Sequence, residues 1–216
     1  LSSTIHTAKK SVAKGAKGRG NVGREKVLEV ATQMFLLHGY SGTSMKALAG
    51  ELGVSAPALY WYFPSKEDLY VEVIETSMRD FASSVQAAVT AADPAGQLQQ
   101  IVRAHVTWQL DQSDAARTFD LSRAHADDIP IERLDSVRRL QIEYRDQIRK
   151  VLHDGCDQNS FTIKDVNVTA FTILTLCEYV YSWFNPQGQR SGSEVAELLS
   201  TLVMSMVGYH PSTTHE

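Results

Sequence analysis

Two short apolar stretches, Leu48 to Leu52 and Ala58 to Tyr62, meet at the tight sequence Leu52-Gly53-Val54-Ser55. Helices this short are marginal alone, since an isolated helix needs roughly 12–15 residues to hold in water. They must therefore pack on each other and on something larger. Gly53 permits the backbone of a sharp turn, and Val54 can bury beneath it, the pattern of a helix-turn-helix. The support lies just upstream. From Arg24 to His38, Val27, Val30, Ala31, Met34, Phe35 and Leu37 fall at helical spacing, and Gly39 follows as a stop. Thr43 or Ser44 is placed to cap the second helix and Ser55 the third, with Pro57 near its start. Pro64 ends the third helix. Ser65 caps a long fourth one, whose first turn carries Glu67 and Asp68 to complement the helix dipole.

The remainder also reads as helical, over about 66–91, 94–112, 114–126, 130–154, 163–185 and 193–208. Loops are expected at Gly155 to Ser160 and at Asn185 to Gly188, and no alternating strand pattern competes. The expected fold is all-α: a three-helix helix-turn-helix domain followed by a helical domain. The divisions fall at 1–21, 22–68 and 69–216. The first is a flexible basic arm, rich in Ser, Thr, Ala, Gly and Lys/Arg, too poor in apolar residues to offset its ordering entropy. Solvated tail and groove-reaching arm are both open for it.

Several function classes are disfavoured. No apolar run approaches the roughly 18–20 residues of a membrane span, and no secretory signal is recognisable. Cys156 and Cys177 are far apart with no CxxC pair, which fits a reducing cytoplasm rather than a disulfide or zinc framework. There is no Gly-rich phosphate loop, HExxH or GxSxG, and His153 and Cys156 lack an acid partner. The expectation is no enzyme, no catalytic residue, no metal and no cofactor. Charge points elsewhere. The net charge of −4 divides unevenly: residues 1–66 hold nine Lys/Arg against three acids, the rest twelve against twenty-two. The basic end suits a polyanion and the acidic remainder would be repelled by one.

The run Gly39-Tyr40-Ser41-Gly42-Thr43-Ser44, then Leu48-Ala49, Leu52-Gly53-Val54-Ser55, Leu59-Tyr60-Trp61-Tyr62-Phe63 and Ser65-Lys66-Glu67-Asp68-Leu69 closely resembles the TetR family. The likeness is ungapped over about residues 24–70. It implies a transcriptional repressor that binds a palindromic operator as a dimer and is released by a small-molecule inducer. By the same resemblance Thr43, Tyr60, Tyr62 and Lys66 contact phosphates, and Lys46 reaches a base edge. Ser55, Ala56, Pro57 and Ala58 open the helix that enters the major groove. That opening is poor in hydrogen-bonding groups, so methyl contacts and DNA shape carry more of the readout. Trp61 and Phe63 are assigned to structure instead.

The resemblance also implies a ligand cavity among the helices after the helix-turn-helix and a dimer interface on the last two long helices, 163–185 and 193–208. Residues offered for the cavity are His105, Trp108, Phe119, Arg123, Tyr144, Arg145, Arg149, Tyr179, Trp183 and Phe184, each of which equally fits plain core. Arg138, Arg145 and Arg149 share one side of their helix. They suit either a solvated face paired with nearby acids or an anionic ligand such as an acyl-CoA. The segment Tyr181-Ser182-Trp183-Phe184-Asn185-Pro186 resembles the branch of the family controlling lipid and acyl-CoA catabolism. The alternative is a sensor of lipophilic drugs controlling an efflux pump, which the acidic second domain would also suit.

Overall fold

The computed structural model describes residues 23–111 and 129–209, and those residues form helices throughout. The helix expected at 114–126 lies outside them, as do the basic arm, Phe119 and Arg123. The helices are α1 (Arg24–Gly42), α2 (Met45–Glu51), α3 (Ala56–Tyr62), α4 (Lys66–Ala88), α5 (Pro94–Asp111), α6 (Asp135–Asp157), α7 (Val166–Glu178), α8 (Val180–Trp183) and α9 (Gly192–Met206). A 3-10 turn at Ile131–Leu134 leads into α6.

The N-terminal elements end where the sequence signals said. Gly39 takes φ 71° and ψ 173°, which interrupts α1 and leaves one further turn to Gly42. Ser44 accepts the amide of Ala47 to start α2, and Ser65 accepts the amide of Asp68 to start α4. Gly53 takes φ 67°, so the amide of Val54 folds back onto the carbonyl of Ala49. The resulting unit closes around Phe35, Leu48, Leu59, Phe63, Leu69 and Tyr70, all buried. Phe35 and Tyr40 both set ring edges against Tyr70 of α4, at 5.0 and 4.9 Å between centroids.

Helix α4 is therefore shared. Its first turns complete the small N-terminal core, and from Val73 onward it buries Ile74, Met78, Phe81 and Val85 in the body. At 23 residues it spans about 35 Å. Helix α5 is the centre of the body, packed against α4, α6, α7, α8 and α9.

Three boundaries differ from the sequence expectation, the simplest being that α6 runs on through Asp157, so Gly155, expected in a loop, is a buried helical residue. The single helix expected at 163–185 is two. Asp165 caps α7 by accepting the amides of Asn167 and Val168, and the helix ends at Glu178. Tyr179 leaves helical geometry at φ −92°, ψ 8° and starts the short α8. No Gly or Pro marks this break. It follows from packing: Val180 is fully buried and α8 turns onto α5. The helix expected from 130 likewise begins with the 3-10 turn and becomes α-helical only at Asp135.

Candidate functional site

Two sites emerge, joined by α4. The first is the outer face of α2 and α3. Lys46, Ser55, Pro57, Ala58 and Tyr60 are exposed there, with Ala56 and Tyr62 half-buried. Thus five of the nine residues singled out for DNA are exposed on α2, α3 or the turn between them, and Ala56 and Tyr62 pack partly against the core. The other two differ from the expectation of a surface contact. Thr43 is 2% exposed, and its hydroxyl donates to the carbonyls of Met34 and Gly39. Lys66 is half-buried; its Nζ donates to the carbonyls of Tyr40 and Thr43 at 2.9 and 3.1 Å and lies 4.0 Å from the Tyr40 ring. Both side chains brace the corner between α1 and α2 by donating to main-chain carbonyls on either side of it, the Tyr40 carbonyl also accepting the amide of Thr43.

Trp61 corrects the other expectation. It is 79% exposed, whereas Phe63 is 1% exposed. Leu59 and Phe63, four apart, hold the core side of α3, which puts Trp61 on the opposite side at 100° per residue. Trp61 stands edge-on to Tyr62 at 5.0 Å and widens the aromatic surface beside Tyr60. Arg24 was not singled out and ties the unit together: it donates to the Tyr62 carbonyl, pairs with Glu72 of α4 at 2.6 Å and covers the Phe63 ring.

The second site is a cavity of about 390 Å³ walled by four helices. Helix α4 contributes Met78 and Phe81, α5 contributes His105 and Gln109, and α7 contributes Phe171, Leu174, Thr175 and Glu178. Helix α6 adds Arg138, Gln141, Ile142, Tyr144 and Arg145. Its inner wall is aromatic. Phe81 sets its ring against those of His105, Tyr144 and Trp108 at 4.7, 4.8 and 5.1 Å. A polar chain runs across this wall: the Tyr144 hydroxyl meets His105 Nδ1 at 3.1 Å, and Gln109 Nε2 meets His105 Nε2 at 3.4 Å. Gln109 Oε1, buried, has no hydrogen-bond partner. Burial pushes the His105 pKa down to about 3, so the imidazole is neutral, and raises that of Tyr144 well above its usual value.

Of the residues offered for a ligand, His105, Tyr144 and Arg145 line this cavity, and Trp108 lies behind Phe81. Arg149 does not line it. It stands one turn beyond Arg145 and pairs with Asp146. Tyr179, Trp183 and Phe184 fall outside it because the break after Glu178 turns α8 away, leaving Trp183 57% exposed. The α4 and α7 lining was missed: Met78, Phe81, Leu174 and Phe171 read as ordinary apolar helix positions, and no local signal separates core from cavity wall. Gln109 could have been flagged as a polar residue on an otherwise apolar face.

A third surface accompanies these. Val168 and Phe171 on α7 and Leu198, Leu202 and Met206 on α9 are exposed apolar side chains at helical spacing, on two helices that pack together. Among the described residues no helix is long and apolar enough to cross a membrane.

Residues 27–73 match the family of bacterial regulatory proteins known as tetR, and residues 91–207 match the tetracyclin repressor-like C-terminal domain. The transcriptional regulator BetI of Agrobacterium fabrum is 31% identical over 130 residues, 60% of this chain; the match spans 61% of BetI. A tetR-family regulatory protein from Rhodococcus RHA1 superposes with a TM-score of 0.78 at 20% identity, covering 90% of this chain and all of that one. AibR, solved in complex with isovaleryl coenzyme A and operator DNA, superposes with a TM-score of 0.74 at 21% identity, over 86% of this chain and 98% of AibR. With an exposed helix-turn-helix face and a walled cavity joined by one long helix, this chain belongs to the TetR family of transcriptional regulators.

Proposed function

We propose that the protein is a ligand-responsive repressor that binds a palindromic operator as a dimer and is released when a small molecule fills the cavity among α4, α5, α6 and α7. The observation that carries this reading is the dual membership of α4: Tyr70 is in the core of the DNA-reading unit, and Met78 and Phe81, two to three turns later, line the cavity. A ligand that prefers one tilt of α4 changes the spacing of two recognition helices, and by linkage DNA affinity falls. A second connection runs from α6. Arg133, just before it, pairs with Asp68 in the first turn of α4 at 3.0 Å.

In this reading Lys46, Ser55, Ala56, Pro57, Ala58, Tyr60 and Tyr62 face the operator, and Thr43 and Lys66 hold the corner that aims them. The apolar stripe of Val168, Phe171, Leu198, Leu202 and Met206 is covered by the same stripe of a second copy, a self-complementary twofold arrangement. Two recognition helices then reach successive major grooves about 34–36 Å apart. For the ligand, Arg138 and Arg145 at the cavity favour an anion such as an acyl-CoA, and AibR binds one. Glu178, which lines the same cavity from α7, favours the second reading, a lipophilic cation sensed by an efflux-pump repressor.

The test is binding of the purified protein to duplex DNA from upstream of its own gene, across a salt series. The reading expects a dimer whose affinity falls steeply and linearly with log salt. A salt-independent or absent interaction, or a monomer on DNA, would overturn it.

A further inference from the structure

The polar chain on the cavity wall says more about the ligand than the arginines do. Gln109, His105 and Tyr144 are each under 10% exposed, and their hydrogen bonds form a line that stops at Gln109 Oε1. A buried amide oxygen without a donor is destabilising, so this position is held at the expense of stability. The line has two proton arrangements. In one, the Gln109 amide donates to His105 Nε2, the Nδ1 proton goes to Tyr144, and Gln109 Oε1 accepts while the Tyr144 proton is free to donate. In the other, Tyr144 donates to Nδ1, and Nε2–H donates to a rotated Gln109 carboxamide, whose NH2 is then the free group. Either arrangement offers hydrogen bonds to a neutral group and none carries charge. A carboxylate or ammonium would be stranded there; a hydroxyl or carbonyl would not. Charge belongs instead with Arg138, exposed, and Arg145, half-buried, which line the same cavity.

We propose that the ligand is an elongated, mainly apolar molecule with a hydroxyl or carbonyl at its buried end, bound to the Gln109–His105–Tyr144 chain, and an anionic group at the mouth beside Arg138 and Arg145. Its body lies against Phe81, Met78 and Leu174. This deepens the reading of the cavity as the inducer site and rests on it.

Isothermal titration of the full chain with four probes tests it: decanoate, ω-hydroxydecanoate, decanol and decyltrimethylammonium. The expected order places ω-hydroxydecanoate about 5- to 10-fold tighter than decanoate, the worth of one buried hydrogen bond. ω-Hydroxydecanoate should exceed decanol, whose hydroxyl can reach the same chain, about 3-fold through the arginines, and the cation should be weakest. Gln109→Leu should bring the hydroxy acid and decanoate to equal affinity. Arg145→Gln should shrink the preference for ω-hydroxydecanoate over decanol without touching the gain of ω-hydroxydecanoate over decanoate. Equal binding of hydroxy acid and decanoate to the native protein, strongest binding by the cation, or no binding by any probe at millimolar concentration would each overturn the proposal. So would binding that survives filling the cavity with Leu174→Trp. Binding with the expected order but no loss of operator affinity would leave this ligand chemistry standing and overturn the inducer reading instead.

Discussion

The DNA-reading unit and the sensing body treat their interior polar groups in opposite ways. In the first, Thr43 and Lys66 each satisfy two main-chain carbonyls, and Tyr40, Phe35 and Tyr70 close around them edge to face. In the second, His105 and Gln109 line a cavity of about 390 Å³, and the hydrogen-bond line ends on an unpartnered oxygen. One region is built to keep a fixed shape on DNA. The other keeps room and an unmet hydrogen bond, so a guest can change its packing. Helix α4 passes through both.

The largest effect expected from this contrast lies in α3, where two aromatic neighbours have opposite duties. Phe63→Ala should cost about 3–5 kcal/mol in denaturant unfolding, because a fully buried ring leaves a cavity in a small core. Trp61→Ala should change stability by no more than about 0.5 kcal/mol, since its ring is solvent-exposed. Comparable losses for both would mean that α3 is rolled about its axis from the orientation described.

A pH effect separates the two regions next. His105 is neutral when folded, with its pKa pushed down to about 3, and takes a proton near 6.5 when unfolded. The unfolded chain therefore binds the extra proton, and stability is full above pH 6.5 and falls below it. The slope approaches about 1.4 kcal/mol per pH unit down to the folded pKa. Unfolding curves from pH 7 to 4.5 should show this fall, and His105→Gln should flatten it. An unchanged slope in the variant would place the titrating group elsewhere.

Lys66→Met is expected to lose about 1–2 kcal/mol by removing its hydrogen bonds to the Tyr40 and Thr43 carbonyls. If Lys66 acts within the fold, the slope of log affinity against log salt on operator DNA should stay that of the native protein. A fall in slope of about one would instead put its ammonium on a phosphate. The smallest expected change is at the link between body and head. Arg133→Ala breaks a partly exposed ion pair with Asp68 and should alter stability by less than about 1 kcal/mol. It should nonetheless reduce the drop in DNA affinity that a cavity ligand causes. A full drop would leave α4 as the sole connection.

The same contrast governs how much was legible in the sequence. Helix ends in the DNA-reading unit are written locally: Gly39, Ser44, Gly53, Pro64 and Ser65 fall where backbone geometry demands them, and those elements appear within a few residues of their expected bounds. The break after Glu178 has no such marker; it exists because Val180 packs on α5, and with it Tyr179 and Trp183 move out of the expected cavity. Trp61 was misassigned because four aromatic residues in a row, Tyr60 to Phe63, conceal which of them faces inward until the position of Leu59 fixes the helix rotation. His105 and Tyr144 were offered on composition, and Arg145 as one of three arginines on one side of its helix. Phe81 and Leu174 were not, because a cavity wall and a packed core use the same side chains; only what stands opposite them differs.

If occupancy of this cavity governs affinity for DNA, fluorescence anisotropy of labelled upstream DNA bound to the native protein and to Leu174→Trp, titrated with acyl-CoA thioesters and with lipophilic cations, will show it. A thioester should release the native protein and leave Leu174→Trp on DNA at the same concentration. Equal release of both proteins, or no release of the native protein by any compound, would contradict it.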